Sequence, residues 1–392
     1  MIKEDAYRNM NKIEIGLPYE VILERKNRVE TAARLRKTDR VPFIPGFSTR
    51  YLIRKLDRSF QRYFSEPGYM LETQLMGIKW IFENIKCDMY EPTGAWTAVW
   101  VDFQNVMDPS AFNNRVVFYD NDIPCAYNTG WVKTEEDLEK LKEIDFINNG
   151  LHTKAQEFFH EMKNIAENYD VRFTGGPWMN MGDMVRISEG SNGIFENAGQ
   201  LMGTETLCYA MYDDPEFVYK LFDIITEKIF QWTDFASKLN GTGLTDFGTS
   251  EDPSIILSAE LFEKFLLPFL VRQQNRYTGK MSLHMCGKID HFAEIFGNKL
   301  NLSTLCGFSY QNDRLILGRN LGGKAVLLGG VSPVNIAYGT EKSIMEEVKS
   351  VIEAFKDYNG FILADGFNIP PGASVENINA VYEAVCKYGR IS

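Results

Sequence analysis

Short apolar runs alternate along this chain with longer segments whose apolar positions recur every three or four residues. The first pattern predicts strands buried on both faces, and the second predicts helices with one apolar stripe. Eight runs read as strands, at residues 41–45, 87–91, 171–175, 244–247, 281–286, 302–308, 325–330 and 360–365. Helical spacing fills the intervals, most clearly over 215–240 and over 258–277, the latter opened by Ser258 with Glu260 in its first turn. Such a repeat predicts an α/β fold, a TIM (β/α)8 barrel, as a single domain over 1–392. The first forty residues read as a helical extension outside the barrel. Residues 93–131, where Trp96, Trp100, Phe103, Phe112, Phe118, Tyr119 and Tyr127 surround the turn formers Asp120-Asn121-Asp122, read as a β-rich insertion after strand 2 that lies over the mouth. Those aromatics could stack on a planar substrate or form the seam of a homodimer, and the pattern leaves both open.

Composition narrows the partners. A chain of 392 residues with 44% hydrophobic and 24% charged residues is an ordinary globular protein, long enough for a large core. A net charge of −11 offers no basic face to nucleic acid or to an anionic membrane. No stretch approaches the roughly 20 apolar residues of a membrane span. The six cysteines, at 87, 125, 208, 286, 306 and 386, lack the spacing of a disulfide framework and follow no signal peptide, so the expected location is the reducing cytoplasm.

In a barrel, chemistry gathers at the carboxyl ends of the strands. There the fifth run carries His284 and Cys286. Residues two apart on a strand point the same way, so imidazole and thiol would converge, with Gly287 letting the backbone turn just beyond. Nitrogen and sulfur donors suit zinc, whose catalytic sites take three protein ligands and keep one position open. The plainer reading is a hydrogen-bonded core histidine beside a small buried cysteine. Asp246, at the end of the fourth run, is the candidate catalytic residue, as general base, ligand or orienting carboxylate. Glu251, Cys306 and Asp365 are further candidates for the third metal ligand. Gly329-Gly330 and Gly175-Gly176 could let backbone amides approach a ligand or cofactor, and Trp96, Trp178 and Arg50 are candidate substrate contacts. His152, His160 and His291 fall in charged surroundings and read as surface residues.

With these residues in view, the chain resembles the uroporphyrinogen decarboxylase superfamily, and within it the cobamide-dependent methyltransferase branch. The likeness runs from Thr38-Asp39-Arg40-Val41-Pro42-Phe43 through Leu244-Thr245-Asp246-Phe247-Gly248 and Leu283-His284-Met285-Cys286-Gly287 to Gly329-Gly330-Val331 and Ile369-Pro370-Pro371-Gly372. The resemblance implies a TIM barrel, a His-x-Cys pair of zinc ligands at His284 and Cys286, and methyl transfer between a small methoxylated or methylated substrate and a corrinoid supplied by a partner protein, with a homodimer as the expected assembly. Its third zinc ligand, a cysteine, falls at Phe367 here, so Asp246, Glu251, Cys306 or Asp365 would have to complete the site. The decarboxylases of the superfamily are metal-independent and hold their substrate's carboxylates with basic side chains. The Arg-x-x-Gly-Arg pattern is absent after the first run, where Gly46-Phe47-Ser48-Thr49-Arg50 stands, leaving Arg50, Arg54 and Arg186 as the only clamps for that alternative.

Overall fold

The computed structural model describes residues 12–90, 99–241, 243–244, 247–277, 279–366 and 368–391. Its centre is a parallel sheet of Ser191–Asn192, Phe247–Ser250, Met281–His284, Leu302–Phe308, Val326–Val331 and Phe361–Asp365, neighbours in space as they are in sequence. Sequential parallel order requires a crossover between each pair, and helices such as Leu267–Arg276 and Glu341–Phe355 supply it. The sheet continues past its last strand. Phe43 bridges Leu363 in parallel, and the Asp88 amide donates to the Phe43 carbonyl at 2.7 Å. In a separate two-stranded sheet, Val185–Arg186 pairs with Val99–Trp100.

Residues 41–45 form a bridge rather than a strand because Pro42 and Pro45 have no N–H for a full ladder. What fixes this stretch is the fully buried Asp88, which accepts from the Arg40 guanidinium at 2.6 and 2.7 Å, from Arg28 at 2.9 Å and from the Phe43 amide at 2.8 Å. Helix ends follow local chemistry. Pro215–Asn240 starts on proline with Asp214 accepting from the Phe217 amide, and ends at Gly241 in the left-handed region (φ 67°). Ser258 caps the next helix through the Leu261 amide, as expected. That helix widens over Phe262–Leu266, just ahead of Pro268, which has no N–H to continue the ladder.

Other elements differ from the reading of the sequence: residues 87–90 form no strand, the strand expected at 244–247 lies at Phe247–Ser250, and the N-terminal extension opens with a strand, Lys12–Pro18, ahead of its helix Tyr19–Ala33. The strand expected at 171–175 exists as Asp170–Thr174, yet it pairs with an N-terminal strand, Lys12–Pro18, and with Met179–Asn180 in a separate small sheet. Only Val171 and Phe173 are buried in it, the alternation of a sheet with one wet face, whereas all of Phe361–Asp365 is buried. The place it was expected to fill goes to the broken segment 185–192. Within 93–131, the residues from 99 onward form two-residue strand pieces, with Val116–Val117 opposite Cys125–Ala126, and a short helix, Met107–Ala111. Its aromatics divide: Phe103 and Phe112 are fully buried, against Phe158 and Phe146, whereas Trp100 and Tyr119 are half-buried and Phe118 and Tyr127 exposed. None of the described helices is long and apolar enough to cross a membrane.

Candidate metal centre and adjoining cavity

His284 ends its strand in register with Ser250 on one side and Cys306 on the other. Two residues further along, Cys286 stands beside Asp252 as His284 stands beside Ser250. The Cys286 amide donates to Asp252 Oδ1 at 2.6 Å, and His284 Nε2 lies 3.5 Å from Asp252 Oδ2. One nitrogen, one sulfur and one carboxylate oxygen of these three residues fall within 4.8 Å of one another, and among the described residues no other such trio does. Gly287 serves by closeness more than by turning: a Cβ there would lie 2.7 Å from Ile255 Cδ1.

The charges in this corner are coupled. Burial disfavours a charged imidazole at His284, but hydrogen bonds with Asp252, Cys286 and Cys306 more than reverse this and push its pKa up to about 12. Burial would raise Asp252, yet His284 and the Cys286 amide hold it below the usual carboxylate range. Burial pushes the Cys286 thiol up, partly offset by His284. The corner thus holds a positive charge, a proton in the free protein, at the point where a metal cation would take its place.

The other expected third ligands are occupied elsewhere. Glu251 points away from the group: its carboxyl is fully buried and accepts from the amides of Ile194 (2.6 Å) and Phe195 (3.2 Å), the first turn of helix Ile194–Met202. Burial pushes its pKa up to about 8 against the pull of those amides. Cys306 Sγ is 3.5 Å from His284 Nδ1, the ring nitrogen opposite the one facing Asp252, so it orients the ligand rather than joining it. Asp365 Oδ1 accepts from the Gly46 amide at 2.7 Å. Asp246, Trp96 and Phe367 lie outside the described residues.

Gly329 and Gly330 lie within a strand with φ of 156° and 107°, and there a Cβ would meet Phe308 and Val351, so they make room for packing. Trp178 stands on the small sheet against Lys12 and Arg172, and Arg50 pairs with Asp122 at 2.5 Å in a cleft of its own. None of these four lines the cavity at the metal group. His160 and His291 are exposed as expected. His152 is fully buried, stacked on Trp232 at 3.7 Å, with Nε2 3.2 Å from Asp108 and Nδ1 2.6 Å from the Phe146 carbonyl.

A cavity of about 300 Å³ opens beside His284 and Cys306, lined also by Asp108, Ser191, Thr249 and Ser250. Through Gln104, Met107 and Ser188 it shares walls with a second of about 520 Å³, faced by Phe47, Trp100, Asp102 and Phe103. Close by, burial and then the charges of Asp252 and Asp108 push Glu196 up to about 8. Sequence reasoning passed over Asp252, Asp108, Asp102 and Glu196.

Comparison with known proteins gives the family and the fold. A family model described as Uroporphyrinogen decarboxylase (URO-D) matches residues 24–388. The chain belongs to the uroporphyrinogen decarboxylase family. Relatives in that family include the uroporphyrinogen decarboxylase of Vesicomyosocius okutanii, 22% identical over 66% of this chain and 72% of its own length, and that of Pseudoalteromonas translucida, 23% identical over 66% and 71%. A methyltransferase from Methanosarcina mazei matches with a TM-score of 0.67 over 93% of this chain and 98% of its own, at 18% identity, and so shares the fold. That fold is the TIM barrel, as the strand repeat predicted. Seen within this family, the metal group sits where barrel enzymes keep their chemistry, just past the carboxyl ends of two adjacent strands.

Proposed function

We propose that this protein is a zinc-dependent methyltransferase that moves a methyl group between a small methoxylated or methylated molecule and a corrinoid carried by a partner protein. The observation that carries the reading is the convergence of Asp252, His284 and Cys286 at the edge of a cavity large enough for a small organic molecule. Mixed nitrogen, sulfur and oxygen donors, three in number, suit zinc with a position left open. Bound there, zinc would act as a Lewis acid on an ether oxygen or a thiol. The chain's own residues hold it: the Cys286 amide aims the carboxylate, and Cys306 fixes the imidazole through Nδ1.

The decarboxylase alternative shares its name with relatives of this chain but needs basic clamps. Arg50 and Arg54 face Asp122, and Arg186 donates to the carbonyls of Asp183 and Val185. None of the three lines the cavities beside the metal group.

Elemental analysis of the purified protein and methyl transfer from methoxyarenes to cob(I)alamin test the proposal together. About one zinc per chain and transfer abolished by a chelator are expected. A metal-free protein that decarboxylates a porphyrinogen would overturn it.

The partner's approach is a separate expectation. Ile256, Leu315, Val334 and Tyr338, between 57% and 81% exposed, all stand on segments that follow carboxyl ends of strands, on the face that carries the metal group. Exposed apolar side chains around a site suit a docking protein. Val334→Glu together with Tyr338→Glu is expected to slow transfer with a protein-bound corrinoid by about tenfold or more, as loss of apolar anchors does at interfaces. The rate with free cob(I)alamin should be unchanged.

A further inference from the structure

We infer that Gln104 sorts the organic ligand by hydrogen bonding. Its side-chain carbonyl, fixed where the two cavities meet, accepts from a hydroxyl or N–H on the ligand's ring, so a ring with such a donor binds in preference to one without. The inference rests on the methyl-transfer reading for where the ligand lies, but its grounds are the hydrogen bonds that hold Gln104.

Gln104, Met107 and Ser188 line both cavities, and of the two only the smaller reaches His284. A molecule with its reacting group at the metal and its ring against Phe47, Trp100 and Phe103 in the larger cavity therefore passes Gln104. The backbone at this point is unusual. Gln104 lies in the left-handed region (φ 58°), which a residue with a Cβ adopts rarely and keeps only where its surroundings hold it. Asp102 is what holds it. Oδ1 of that carboxylate accepts from the Gln104 backbone amide at 2.9 Å and from Gln104 Nε2 at 2.5 Å, and Nε2 also donates to Thr49 Oγ1 at 3.1 Å. Oδ2 accepts from Thr49 Oγ1 and from Tyr63 Oη.

This arrangement decides which end of the amide a ligand meets. A carboxylate in this setting accepts, so the NH2 group of Gln104 faces Asp102 and both its protons are used there. Oε1 is left over. It receives no hydrogen bond from the described residues, and unlike the indole nitrogen of Trp100 it is not closed off by its neighbours. Other polar groups on the wall of the larger cavity are committed: Gln74 donates to Tyr63 Oη and the Trp100 carbonyl and accepts from the Trp100 amide, and Thr73 donates to the Tyr69 carbonyl. Asn368, which also lines this cavity, has a side chain with no hydrogen bond to the described residues and can turn either end of its amide to a ligand, so it does not discriminate. Gln104 does. A ring with a donor replaces the water at Oε1, whereas a ring without one leaves that carbonyl unpaired.

Calorimetric binding to the zinc-loaded protein, without corrinoid, tests this with two uncharged probes, guaiacol and veratrole, which differ in that a ring hydroxyl of the first is a methoxy group in the second. Guaiacol is expected to bind at least about tenfold tighter, the scale of one hydrogen bond lost with its partner left unpaired. In Gln104→Met no acceptor remains, and the two probes should bind within about threefold of each other. Asp102→Asn keeps Gln104 but frees its amide to turn, because an asparagine either donates or accepts, and should narrow the gap in the same way. Thermal unfolding shows whether each variant is folded, and a merely structural role for Gln104 would weaken both probes alike and leave their ratio unchanged. Veratrole binding as tightly as guaiacol to the wild type would overturn the inference. So would a preference for guaiacol that survives in either folded variant, since the hydroxyl would then be held elsewhere, at the metal for example. The order of binding does not depend on methyl transfer. If guaiacol is preferred through Gln104 but no methyl group moves to cob(I)alamin, the functional proposal fails and this inference stands; if methyl transfer runs and the preference is absent, the reverse holds.

Discussion

His284→Ala is expected to take bound zinc from about one per chain to background and to slow methyl transfer about a thousandfold or more, because the metal supplies several kcal/mol of stabilisation and each 1.36 kcal/mol is a factor of ten. Cys286→Ala and Asp252→Ala should do the same. Cys306→Ala removes only the contact at Nδ1 and should keep the metal, with affinity or rate down about 10- to 100-fold. Glu251→Gln is the decisive contrast. Its carboxyl serves the amides of Ile194 and Phe195, so the amide variant should lose stability but keep its zinc. Metal analysis and thermal unfolding on the same preparations separate the two effects. If Glu251→Gln emptied the centre while Asp252→Ala left it filled, the third donor would be misassigned.

The second large effect comes from a residue with no chemistry of its own. Gly307 lies in the left-handed region (φ 80°), and a Cβ built on it would run into the His284 imidazole. Gly307→Ala should therefore cost about 1–2 kcal/mol of backbone strain and, in addition, displace the ring from Asp252. The expected outcome is a fall in zinc affinity of about 10- to 100-fold, the scale seen when a ligand loses its support. Gly323→Ala supplies the control. Its φ is 72° and a Cβ there meets nothing within 4 Å, so it should show the strain alone, as a lowered Tm with zinc binding intact. Equal zinc affinity in the two variants would mean that Gly307 does not position His284.

Much of the fold was legible because burial on two faces leaves a continuous apolar run. The strands at 302–308, 326–331 and 361–365 fell within a residue of their expected places for that reason, and the helix 215–240 matched its expected bounds between an Asp-Pro start and a glycine stop. The strand at 171–175 was found but misplaced, since an alternating run states that one face is buried and does not state against what. The segment 185–192 went unseen because its pieces, two residues each, carry no period. His152 was taken for a surface residue because its neighbours in sequence are polar; the helix turns it onto Trp232.

No period in the sequence points to Asp252 rather than Glu251: the strand ends at Ser250, and residues of both parities, Gly248, Thr249 and Ser250, line the cavity.

By itself, then, the sequence determined the repeating strand and helix order, the strand ends at which polar groups collect, and the convergence of His284 with Cys286, because each depends on periods of two or 3.6 residues within one segment. Only the tertiary structure decided that Asp252 faces that pair, that Gly307 makes room for the imidazole, and that Asp108 and Asp102 line the two adjoining cavities beside it. Those facts depend on the register between neighbouring strands and on which side chains meet across the barrel, and contacts between distant segments leave no period in the chain.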